Sequence, residues 1–105
     1  MRNMKLGRAP EPYRSTPVFD EATLPAALRR AHRTKPGVWG VIRVLQGELK
    51  LCFTEPPETK RLRPGVDGVL EPDQSHFVET EGPMRMQIDF YTQAPRVDAD
   101  AGEDA

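Results

Sequence analysis

The chain carries one cysteine, Cys52, among 105 residues, and a single thiol excludes any intramolecular disulfide. That scarcity suits a reducing compartment. Long hydrophobic runs are missing too. No stretch could span a bilayer, and no apolar h-region follows the first residues. A cytoplasmic protein with no membrane partner is expected. Net charge is nearly absent: 15 basic residues against 16 acidic ones leave −1. No global field attracts a polyanion, so nucleic acid is not an expected partner. Histidine is reduced to two residues, His32 and His76. No serine or cysteine sits in a context that suggests a nucleophile beside a base. An enzyme built on this chain would have to work through a metal.

Proline and glycine are what the sequence has in quantity, 11 and 8 residues. They exclude long helices and favour short strands joined by turns. Residues 1–12 are polar and proline-broken and read as an N-terminal arm; Thr16–Phe19 adds two apolar residues that could form an edge strand or anchor it. DEATLPAALRRAH is the one helix candidate, short, with Asp20 or Thr23 as its cap and Leu24 and Leu28 facing the core.

From Val38 the pattern turns to β. Trp39–Leu45 is apolar on both faces, as in a strand covered on two sides. Gln46-Gly47 reads as a tight turn, after which Leu49, Leu51 and Phe53 alternate inward. Cys52 in that run reads as a buried, inert thiol. Lys60, Arg61 and Arg63 read as a solvated basic loop. Val69-Leu70 and Ser75–Thr80 follow as short strands. Glu81-Gly82-Pro83 reads as another turn, and Met84–Tyr91 alternates most clearly of all. Residues 93–105 are acidic, low in complexity and expected to be disordered. The reading is all-β: one antiparallel barrel or sandwich over residues 13–92, with one short N-terminal helix.

Three stretches carry a resemblance: TPVFDEATLPAALRRAHRTKPGVWGVIRVLQGELKL, VLEPDQSHFVE and MRMQIDFY. The sequence resembles the TehB/YeaR-like domain family, small bacterial domains found alone or ahead of a methyltransferase in tellurite-resistance proteins. No glycine-rich nucleotide-binding loop follows, so the methyltransferase is expected to be absent here. The resemblance implies a cupin-type double-stranded β-helix whose interior can hold a metal or small ligand, and a role in a bacterial stress response such as tellurite or oxyanion resistance. A cupin's first motif supplies paired histidines and a glutamate; its second supplies a further histidine after a proline turn. His32 stands where the first motif would begin, and His76 follows Pro72 as the second histidine would. Thr34 and Gly40 replace the partner histidine and the glutamate.

The candidate site is therefore His32 and His76 converging on a divalent metal, with zinc, iron or nickel as the cofactor. Glu79, Asp89, Gln87 and Glu48 are the available oxygen donors, and Glu79 and Asp89 complete the expected metal set. On an ideal strand Glu79 points away from His76. The competing account has His32 ending the short helix and His76 hydrogen-bonded in a turn. Other functional classes stay open: a metal-dependent dioxygenase or isomerase, or a homodimerisation module whose Tyr13–Phe19 arm adds to a neighbour's sheet.

Overall fold

A computed structural model describes residues 10–95. Most of the expected arm and tail lies outside the described residues. The described chain contains seven strands: Arg14–Ser15 (β1), Phe19–Asp20 (β2), His32–Arg33 (β3), Trp39–Thr54 (β4), Pro57–Leu62 (β5), Gly68–Leu70 (β6) and Ser75–Tyr91 (β7). All pairings are antiparallel. They join into one sheet that is not closed. The all-β expectation holds.

Two long strands build the molecule. β4 and β7 pair from Trp39 opposite Tyr91 to Phe53 opposite His76. Gln46-Gly47 and Glu81-Gly82-Pro83 were expected to reverse the chain, and neither does. Each lies inside a continuous strand, at the place where the β4–β7 register shifts twice, between Val44 and Gln46 and between Gly47 and Leu49. Gly47 has φ of +74°, and a Cβ there would collide with the Pro83 carbonyl oxygen. Its conformational freedom serves a bulge and a close approach of two strands rather than a hairpin turn.

The bend brings the two halves of β4 over the same core. β6 pairs with the first half, at Gly40–Ile42. β5 pairs with the second half, at Leu49–Thr54. Yet a Cβ on Gly68 of β6 would lie 2.7 Å from Leu51 and 2.8 Å from Leu62, residues of the other half. The sheet has folded across itself. Ile42, Val44, Leu49, Leu51, Leu62, Val78, Met84 and Met86 fill the space between the layers, each such burial contributing roughly 1.5–3 kcal/mol.

β5 occupies residues placed in a loop on sequence grounds. Its Lys60 and Arg61 are strand residues, and Arg61 pairs with Glu48 at 3.1 Å and Glu81 at 2.8 Å. The expected N-terminal helix shrinks to one 3-10 turn, Ala26–Arg29, entered from Pro25 with no side-chain cap. Asp20 instead accepts the amides of Ala22 and Thr23 in the preceding turn, both at 2.8 Å. Leu24 is nonetheless buried, and Leu28 packs on the core as anticipated. The Tyr13–Phe19 segment lies along this chain's own β7: Arg14 is opposite Phe90 and Phe19 opposite Met86.

Candidate functional site: a paired-histidine pocket

Pairing of the two-residue strand β3 with β7 holds His32 in place. β3 lies antiparallel to the start of β7, with His32 directly opposite His76 and Arg33 opposite Ser75. Directly opposed residues of an antiparallel pair share a face, and the imidazole centroids are 4.3 Å apart at an interplanar angle of 58°. The ladder continues past β3, where the Thr34 amide donates to the Gln74 carbonyl and the Asp73 amide to the Thr34 carbonyl. The Pro72-Asp73 turn that allows this has Asp73 at φ +58°, a left-handed conformation that aspartate tolerates better than most residues. The Gln74 side chain closes the turn by accepting the Glu71 amide.

Both histidines have the same hydrogen-bond arrangement. His32 Nδ1 lies 3.0 Å from the Arg30 carbonyl, and His76 Nδ1 lies 2.9 Å from the Gln74 carbonyl, two residues back in each case. A carbonyl only accepts, so each Nδ1 carries the proton and each Nε2 of a neutral ring keeps its lone pair. His76 is 2% exposed. Burial lowers its pKa below the ordinary histidine value; the Gln74 carbonyl opposes that shift and His32 reinforces it. His76 is therefore a neutral ring at pH 7.

The pair borders a cavity of about 290 Å³. Its apolar wall consists of Leu28, Val38, Leu70, Ile88 and Phe90, and three cationic residues, Arg14, Arg33 and Lys35, also line it. Arg33 is engaged, at 2.7 Å from Glu55 and 3.8 Å from Asp73. Thr34 and Thr16 add hydroxyls, and Tyr13 lies at the arm side.

Of the four residues expected to form a metal site, His32 and His76 are together and the two acids are elsewhere. Glu79 is exposed on β7, opposite Lys50. Asp89 alternates to the face away from Ile88 and Phe90. It accepts from Ser15 at 2.7 Å and from Arg43 at 2.7 Å. Burial raises the pKa of its carboxyl, but the Arg43 and Ser15 hydrogen bonds outweigh that and hold it below the usual value. Gln87 is similarly occupied, with Arg43 and the Thr16 carbonyl. Glu48 pairs with Arg61. Among the described residues no group of three His, Cys, Asp or Glu side chains could share an ion. Arg14, Arg33 and Lys35 were not singled out from the sequence, and Leu28 was read only as a core residue. Only their closeness in sequence to His32 could have suggested Arg33 and Lys35.

The TehB-like domain pattern matches residues 14–88, which include both histidines and every strand except the last residues of β7. The chain belongs to the TehB-like domain family. This TehB-like domain is similar to the crystal structure of an Escherichia coli K12 protein, with 27% identity and a TM-score of 0.72 over 81% of this chain and 91% of that one. It is also similar to TehB from Haemophilus influenzae, with 30% identity and a TM-score of 0.69 over 76% of this chain. That match spans only 30% of the Haemophilus protein. Curated protein sequences contain no significant match.

Proposed function

We propose that this TehB-like domain is a cytoplasmic binding module that holds a divalent metal ion or a small ligand between His32 and His76. The observation that carries this reading is the juxtaposition of two imidazoles, each with Nδ1 tied to a carbonyl and Nε2 free, on the wall of one cavity. A histidine that ligates a metal usually donates its other N–H to an outer acceptor, which orients the ring. Two imidazoles fit an exchangeable site completed by water or ligand, not a closed structural zinc site with four protein ligands. Zinc, iron and nickel all accept imidazole, and a metal bound there would polarise a ligand oxygen.

We read the folded-over sheet as a reduced cupin-type double-stranded β-helix, with the histidine pocket at one end of the enclosed space. Membership of the TehB-like family supports a role in a bacterial stress response of the tellurite-resistance kind. The test begins with protein purified without chelating resin, followed by measurement of bound metal before and after zinc or nickel reconstitution. Stoichiometric metal that falls at least tenfold in both His32→Ala and His76→Ala is expected for the metal form. A wild type that binds neither ion, nor any small ligand in the cavity, would overturn the reading.

A further inference from the structure

His76 poses a question that its neighbours do not answer. The ring is almost wholly buried, and its Nε2 has no hydrogen-bond partner among the described residues. Buried polar atoms are nearly always satisfied, and a lone pair on a neutral imidazole asks for a donor. A neutral His32 supplies none, because its one N–H is spent on the Arg30 carbonyl. Arg14 and Lys35 line the same cavity and make no ion pair among the described residues, whereas Arg33 is occupied by its acids. Five apolar side chains, with Tyr13, Thr16 and Thr34, form the remaining wall. The volume, about 290 Å³, falls at or below the low end of the roughly 300–1,000 Å³ typical of sites for drug-sized ligands.

We propose that the pocket's ligand is a small organic hydroxycarboxylate with a compact apolar body. Its hydroxyl donates to the free Nε2 of His76, its carboxylate is held by Arg14 and Lys35, and its body lies on Leu70, Ile88 and Phe90. A ligand lacking the hydroxyl leaves the buried lone pair unsatisfied. A ligand lacking the carboxylate leaves the two cations without a counter-charge. This assignment rests on the binding reading above and narrows it to one ligand class that binds without a metal.

The probe is 4-hydroxybenzoate, titrated by calorimetry into full-length protein stripped with chelator and then freed of it. Benzoate, which lacks the hydroxyl, and 4-hydroxybenzyl alcohol, which lacks the anion, serve as comparators. The expected result is saturable binding of 4-hydroxybenzoate, with each comparator weaker by about tenfold, the scale of one lost hydrogen bond or charge contact. Arg14→Gln with Lys35→Gln should weaken 4-hydroxybenzoate and leave the alcohol unchanged. Both substitutions are at exposed residues, so the folded protein is retained. Equal affinity for all three compounds overturns the proposal, as does a charge-neutralised variant that still prefers the acid. Zinc binding through His32 and His76 with no binding of 4-hydroxybenzoate also overturns it, yet leaves the metal form of the binding reading standing. If none of the three compounds binds, the hydroxycarboxylate assignment fails, and if zinc and nickel fail as well, the metal form of the binding reading falls with it.

Discussion

Each imidazole of the pair has one nitrogen committed and one free, and this makes His76 the most informative single residue. Its folded-state pKa is depressed by burial and by His32, so the unfolded chain takes up a proton that the folded chain refuses. Between the folded value and the unfolded value of about 6.5, the unfolded state therefore binds more protons, and stability rises with pH. Acidification below about pH 6.5 removes stability through this residue, with a slope of at most about 1.4 kcal/mol per pH unit. The measurement is the urea midpoint against pH for wild type and His76→Asn, whose amide can still donate to the Gln74 carbonyl. A shallower dependence on the acid side of pH 6.5 is expected in the variant. Superimposable curves would mean that His76 titrates as it does in the unfolded chain.

The sequence singled out His32 and His76 as candidates but could not show that they meet. They are far apart in sequence, and the contact depends on a two-residue strand, β3, whose register no periodicity encodes. The acids are a different case. The alternation of β7 was visible, but its inward face was not: Met84, Met86 and Ile88 pack the core, and that choice alone sends Asp89 to Arg43 and Ser15.

At the scale of elements, the alternating segments were legible because burial of one face leaves a mark on the sequence. β5 was not, because PETKRL places one residue, Leu62, in the core and opens on a proline. Such a strand is specified by its neighbour in β4 rather than by its own propensity. The two bends were misread as reversals for a related reason. Gly47 and Gly82-Pro83 have turn chemistry, but whether a glycine turns the chain or bulges a strand depends on the pairing on either side. Three glycine-to-alanine substitutions separate these roles. Gly47→Ala combines a positive φ with a clash against the Pro83 carbonyl, and should cost at least about 2 kcal/mol. Gly68→Ala must displace the packed ends of Leu51 and Leu62, at about 1–3 kcal/mol. Gly82→Ala meets nothing within 4 Å and should stay within about 0.5 kcal/mol of wild type. Chemical denaturation ranks the three, and a Gly82 variant as unstable as Gly47→Ala would show that the bend in β7 is the strained one.

For the molecule as a whole, the arm decides between a closed pocket and a self-associating edge. The Tyr13 amide bonds to the Phe90 carbonyl and the Thr16 amide to the Ile88 carbonyl, both at 2.9 Å. The Ile88 amide in turn donates to Thr16 Oγ1 and Gln87 to the Thr16 carbonyl. The same segment brings Tyr13, Arg14 and Thr16 to the cavity wall. Covering β7 and walling the pocket are thus one structural act. Removing residues 1–17 would strip that edge of its partners, and an uncovered edge strand invites pairing with another chain. Light scattering should show a larger mass or a concentration-dependent one for the truncated protein, with the binding of 4-hydroxybenzoate or zinc weakened in parallel. An arm that instead reaches onto a second copy predicts the opposite change, a drop in mass on truncation. That drop would identify β1 as an exchanged strand, with each pocket completed by Arg14 of the partner copy.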